Sequence, residues 1–143
     1  MDKKVIRITS TSNSIIKQLR ELTGRKGRLR YNAFIIEGLK LVEEALSYKV
    51  PVSYFLVAES LYPEIRSMME GNNAAPVYLV PDGLFEKVST TETPQGILAV
   101  APLSISQDPS LTDRGSRFVI LERLQDPGNL GTIIRTADAC GFD

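Results

Sequence analysis

Apolar positions along the chain switch repeatedly between a helical and an extended period, and the switches mark the elements. Ile15, Ile16, Leu19 and Leu22 form a helical stripe, with Ser12 or Asn13 placed to cap it and Gly24 to stop it. Arg25-Lys26-Gly27-Arg28-Leu29-Arg30 follows and reads as a basic turn. Ala33 to Glu37 predicts a buried strand, and Leu39 to Ser47 a helix that is amphipathic through Leu39, Val42 and Leu46. The alternation continues with a strand over Val52–Val57 and a helix over Tyr62–Met69, closed by Gly71-Asn72-Asn73. A strand over Val77–Val80, a short helix capped by Asp82 and running to Val88, and a strand over Gly96–Ala101 complete the series.

Strands separated by helices, with near-continuous apolar runs in the strands, predict an α/β fold whose largely parallel sheet is covered on both faces. That domain spans residues 1–102. Pro102 to Gly115 is polar and turn-rich and predicts an interdomain linker over residues 103–115. Beyond it, Arg117 to Leu121 predicts a strand that runs into a tight Asp126-Pro127-Gly128-Asn129 turn and then a helix. One strand and one helix cannot bury a core of their own. Residues 116–143 therefore read as the front edge of a second domain, expected to pack on a neighbouring chain, to dock on the first domain or to be poorly ordered.

Charge sharpens the picture at one end. Residues 1–30 hold nine Lys or Arg against two acidic residues, a net +7, whereas residues 31–143 hold eight against fifteen, a net −7. Such asymmetry points to a polyanion at the N-terminal end, or to a solvated basic helix and turn. Lys17 and Arg20 lie three apart, on a face away from the apolar stripe. Cys140 is the only cysteine and there is no histidine. Intrachain disulfides, zinc sites of the Cys/His kind and a histidine general base are thereby excluded. No segment approaches membrane-spanning length and no signal-peptide core follows Met1, so a cytoplasmic protein without a membrane partner or metal is expected.

The C-terminal segment carries the most specific chemistry. Pro127 presets a turn, and Asn129 is placed to cap the helix that follows. Leu130, Ile133, Ile134 and Ala137 lie at i, i+3, i+4 and i+7, a core-facing stripe from which Arg135 is excluded. Gly131, one turn before Arg135, leaves open space beside the guanidinium. An arginine so placed near a helix entrance suits a phosphate or a carboxylate, or else simply pairs with Asp138 on the surface. Gly128 and Gly131 do not make the Gly-x-Gly-x-x-Gly fingerprint of dinucleotide binding. Pro94-Gln95-Gly96 reads as local punctuation before a strand, and Tyr31 either stacks on a base or packs on the sheet.

The run from Gln125 through Ala139, Gln-Asp-Pro-Gly-Asn-Leu-Gly-Thr-Ile-Ile-Arg-Thr-Ala-Asp-Ala, resembles the first signature motif of the SpoU (TrmH-type) RNA 2′-O-ribose methyltransferases, members of the SPOUT superfamily of trefoil-knotted enzymes. Ser14 to Leu46, with Phe34-Ile35-Ile36-Glu37-Gly38, looks like the start of that family's N-terminal substrate-binding domain, and Val88 to Val100 looks like its end. The resemblance implies a three-layer α/β/α, ribosomal-protein-like domain that holds RNA, followed by the first βα unit of a truncated methyltransferase domain. It implies S-adenosylmethionine as methyl donor, rRNA or tRNA as substrate, and a homodimer. Arg135 matches the motif arginine that helps to activate the ribose 2′-hydroxyl, and Asn129 the motif asparagine that shapes the active site. Lys17, Arg25, Lys26, Arg28 and Arg30 become candidates for phosphate contacts.

Glu122-Arg123 departs from the family, which often has an aspartate and a small residue there. The family's second and third motifs, which build the knot and most of the cofactor pocket, do not occur before Asp143. No cofactor-binding residue is therefore assigned within this chain, and the chain alone is expected neither to bind the cofactor well nor to methylate RNA. A non-catalytic RNA-binding module is the alternative, and an α/β domain whose basic end faces a protein partner is a third possibility.

Overall fold

A computed structural model describes residues 4–70, 75–103 and 117–142, with the backbone alone at Glu70. Two compact units divide the chain, Met1–Ser104 and Ile105–Asp143. The first is built from β1 (Val5–Arg7), α1 (Ser14–Leu22), α2 (Arg25–Tyr31), β2 (Ala33–Glu37), α3 (Leu39–Ser47), β3 (Tyr54–Ala58), α4 (Tyr62–Glu70), β4 (Val77–Val80), α5 (Asp82–Glu86) and β5 (Ile97–Pro102). The strands form one sheet in the order β1-β4-β3-β5-β2.

The sheet is mixed, which corrects the expectation of a largely parallel one. β1 and β3 flank β4 in parallel, whereas β5 pairs antiparallel with both β3 and β2. Periodicity reveals that a strand is buried on two faces but carries no information about its direction. The short β1 is absent from the sequence reading; three residues at a sheet edge are too few to show a period.

Alternation along each strand sorts side chains onto two cores. Leu56, Leu98 and Val100 point to one face, where Ile16, Leu19 and Leu22 of α1 and Leu84 and Phe85 of α5 cover them. Phe55, Val57, Ile97 and Ala99 point to the other, where Val42 and Leu46 of α3 and Ile65 and Met69 of α4 close over them. Helix, sheet and helix thus make the three layers expected of the α/β/α fold. Tyr54, in the first core, stands edge-on to Tyr78 at 5.4 Å and donates its hydroxyl hydrogen to Gln18 at 3.0 Å. Burial there pushes the phenol's pKa up.

Some helix ends follow local rules and others do not. Asn13 caps α1 through its side chain, which accepts from the Ile15 amide at 2.9 Å. Asp82 does not cap α5, which opens after Pro81; its Oδ1 instead accepts from the Ser60 amide and hydroxyl. The basic turn is a helix, α2, entered through Gly24 and closed by Asn32 in the left-handed region at φ 46°.

The second unit holds α6 (Pro127–Ala139). Residues 117–121 are not paired in a ladder, which corrects the strand expected there. A strand exists only through its neighbour, and among the described residues none lies alongside. No residue of α6 is buried. All but Leu103 of the linker expected at 103–115 lies outside the described residues.

Candidate functional site

Gly27 sets the geometry of the basic end. A Cβ at that position would lie 1.9 Å from the carbonyl oxygen of Glu21 and 2.3 Å from its carbonyl carbon. Backbone meets backbone there, so α2 lies against the last turn of α1 at a distance only glycine permits. That contact fixes which way every cation of α2 faces. Arg28 turns towards α1, and its Nη1 donates to the carbonyl oxygens of Thr23 at 2.8 Å and Leu22 at 3.3 Å, carbonyls left open at the helix end. Arg30 donates to Glu21 at 2.9 Å and lies 5.3 Å from the centre of the Tyr31 ring.

The five candidate phosphate contacts therefore differ. Lys17, Arg25 and Lys26 are exposed and form no ion pair among the described residues. Arg28 and Arg30 are engaged in holding the hairpin together. Tyr31 is half-buried against the first core rather than free to stack.

α2 runs directly into β2 at the end of the sheet where β3 begins: Ala33 pairs with Pro102, and the Leu103 amide donates to the Asn32 carbonyl. The opposite end is chemically different. A cleft of about 380 Å³ opens at the carboxyl ends of β3 and β4, lined by Ser60, Glu64, Asp82, Glu86, Pro94 and Gln95. Three carboxylates repel phosphate, so the sheet has one end suited to a polyanion and one that is not.

Glu37, Gly38 and residues 89–96 form a joint at that acidic end. The Glu37 carboxylate accepts from the Ser89 hydroxyl, from the Thr90 amide at 2.8 Å and hydroxyl at 2.5 Å, and from the Thr91 hydroxyl at 3.3 Å. Burial alone would raise its pKa; these hydrogen bonds outweigh burial and hold it below the usual carboxylate value. Gln95 Oε1 accepts from the Leu39 amide at 2.8 Å and so caps α3. Gly38, at φ +105°, lets the chain enter that helix, and a Cβ there would come within 3.1 Å of the same Gln95 oxygen. Pro94-Gln95-Gly96 thus serves the architecture. The sequence signal available for this joint was the pairing of Glu37-Gly38 with a hydroxyl run followed by Gln-Gly, but only the fold brings the two together.

In the second unit, Asp126 and not Asn129 caps α6; its Oδ1 accepts from the Gly128 amide at 2.6 Å. Pro127 then occupies the first helical position, where its missing N–H costs nothing. Asn129 is left exposed, with its side chain free of capping duty. Arg135 leans back along the helix, as helical side chains do. Its Nη1 would lie 3.3 Å from a Cβ on Gly131, and its Nη2 donates to the Thr132 hydroxyl at 3.4 Å. Among the described residues it forms no ion pair with Asp138. The guanidinium is exposed and projects towards the N-terminal half of α6, where helix dipole and open amides also favour negative charge.

Among the described residues of this unit, the surface beside α6 is mainly apolar. The hollow beside α6, about 240 Å³, is lined by Val119, Ile133, Ala137, Cys140 and Phe142 with two threonines. Both hydroxyls donate to the helix backbone, Thr132 to the Gly128 carbonyl and Thr136 to the Thr132 carbonyl. Among the described residues no cluster of acidic or thiol side chains could hold a metal ion, and no helix is long and apolar enough to cross a membrane.

Residues 13–99 match the family model of the MRM3-like substrate binding domain. The chain is 38% identical over 136 residues to the 23S rRNA (guanosine(2553)-2′-O)-methyltransferase RlmP of Bacillus subtilis, covering 95% of this chain and 52% of that protein. It is 30% identical to the 23S rRNA (uridine(2479)-2′-O)-methyltransferase of Streptomyces viridochromogenes, covering 94% and 48%. Its fold matches that of an AdoMet-bound rRNA methyltransferase from Sinorhizobium meliloti with a TM-score of 0.75 and 31% identity, over 96% of this chain and 52% of that one. The chain spans about half the length of these relatives.

Proposed function

The chain belongs to the SpoU (TrmH-type) family of RNA 2′-O-methyltransferases and carries its MRM3-like substrate-binding domain, and from that premise we propose that residues 1–102 hold a ribosomal or transfer RNA while residues 116–143 begin the domain that methylates a ribose 2′-oxygen. The complete protein uses S-adenosylmethionine, acts in the cytoplasm and works as a homodimer. The 143 residues alone neither bind that cofactor tightly nor transfer a methyl group. The mainly apolar hollow beside α6 supports this.

One observation carries the reading: Arg135 projects its guanidinium, unpaired by any carboxylate among the described residues, over Gly131 on the N-terminal half of α6. A ribose 2′-hydroxyl is a poor nucleophile at neutral pH. A fixed cation beside it stabilises negative charge as it develops on the oxygen and holds the adjoining phosphate. Arginine does not give up its proton in this range, so Arg135 acts by electrostatic stabilisation and clamping and not as a free base. Asn129, exposed one turn or more ahead, is a hydrogen-bonding partner for the same sugar.

The test is made in the complete protein. Arg135→Ala abolishes methyl transfer to the RNA while RNA affinity falls little. Wild-type turnover in that variant refutes the role. For the chain alone, tight S-adenosylmethionine binding by calorimetry refutes the assignment of the cofactor site to residues beyond these.

A further inference from the structure

We infer that the cations of the basic hairpin form two functional classes: Lys17, Arg20, Arg25 and Lys26 contact RNA phosphates, with Leu29 adding an apolar contact, whereas Arg28 and Arg30 are struts that hold the hairpin and touch no phosphate. This rests on the RNA-binding reading and goes beyond it by removing two arginines from the interface and adding a leucine.

The division follows from Gly27. With that residue locked against the Glu21 carbonyl, the helical period dictates the rest of α2. Arg28 points to the carbonyls of Leu22 and Thr23, and Arg30 to Glu21. Arg25, Lys26 and Leu29, at i, i+1 and i+4, are left facing solvent. Leu29 is 56% exposed, although the rest of this face is charged. On α1, Lys17 and Arg20 occupy the exposed side of a helix whose Ile16, Leu19 and Leu22 are sealed in the core. Four exposed cations with no ion pair among the described residues, together with an exposed leucine, lie on the outer faces of α1 and α2, a composition complementary to a sugar–phosphate chain. The cations meet the phosphates, and the leucine meets the apolar face of a ribose or an unstacked base. The carboxylate-lined cleft at the other end of the sheet leaves this as the end that a nucleic acid can approach.

The two kinds of contact separate in salt. Neutralising one phosphate adds about 0.7–0.9 to the slope of log affinity against log salt, whereas an apolar contact adds nothing. The full chain is titrated against a fluorescein-labelled RNA stem-loop across a salt series. Arg25→Gln and Lys26→Gln each flatten the slope by about one. Leu29→Ala weakens binding at every salt by roughly tenfold, as expected for one to two buried methylenes, with the slope unchanged. Arg30→Gln leaves the slope as in the wild type, and Arg28→Lys, which loses the hydrogen bonds to the Leu22 and Thr23 carbonyls, lowers the melting temperature. A slope reduced by Arg30→Gln as much as by Arg25→Gln, or an affinity indifferent to Leu29→Ala, overturns the division while leaving RNA binding in place. Wild-type binding without salt dependence overturns the RNA reading itself, and the division with it.

Discussion

Helices α1 and α6 carry the same kind of apolar stripe and meet opposite fates. Ile16, Leu19 and Leu22 of α1 are at most 1% exposed, because a sheet face lies beneath them. Leu130 and Ile134 of α6 are 39% and 57% exposed, because the described residues of their unit supply no opposing layer. An amphipathic pattern is thus a demand for a partner surface and not a guarantee of one. The lesson extends to chemistry: in the first unit packing commits cations to structural work, whereas in the second Arg135 stays open.

Core deletions probe that contrast most strongly. Phe55→Ala lowers the unfolding free energy of the first unit by about 3–5 kcal/mol, read by urea denaturation. Leu130→Ala changes the stability of this chain by no more than about 0.5 kcal/mol. Comparable losses from both would show that α6 is buried against something and would break the comparison.

Overpacking the hairpin comes next. Gly27→Ala drives a methyl into the Glu21 carbonyl and costs about 1–3 kcal/mol in the same assay. A neutral result would mean that α2 can move away from α1, and that the cations of α2 have no fixed direction. In the second unit, Asp126→Ala removes a cap worth about 1 kcal/mol, seen as faster amide exchange over the first turn of α6 with the sheet unaffected.

The smallest effect sharpens the picture of the Glu37 joint. Its folded pKa is lowered, so its contribution is complete above the ordinary carboxylate value of about 4.3 and is lost as pH falls through the lower folded value. Glu37→Gln is therefore less stable than the wild type at neutral pH, and the gap narrows only in acid. A gap that grew on acidification would reverse the sign and disprove the hydrogen-bonded carboxylate.

Much of the fold was legible beforehand. Of Ser12 and Asn13, the two residues placed to cap α1, Asn13 does so, and the strands over Ala33–Glu37, Val77–Val80 and the run ending near Ala101 lie where continuous apolar residues placed them. The failures share a cause. α2 read as a turn because a seven-residue helix with a glycine near its centre has a weak period, and its glycine is explained only by a neighbour six residues away. Residues 117–121 have strand composition and, among the described residues, no strand to join. Asn129 and Asp126 are both competent caps, and where the helix begins decided between them.

Sequence alone determined which residues want burial, that the N-terminal end is basic, and that the C-terminal run carries a family motif around Arg135. These are properties of single residues and of short spacings, for which covalent geometry and hydrophobicity suffice. Only the tertiary structure decided the directions of the strands, the use of Arg28 and Arg30 within the hairpin, the joining of Glu37 to Ser89, Thr90 and Thr91, and the capping of α3 by Gln95. Each of those is a relation between residues brought together by packing, and a linear pattern holds no record of a neighbour that the fold has yet to supply.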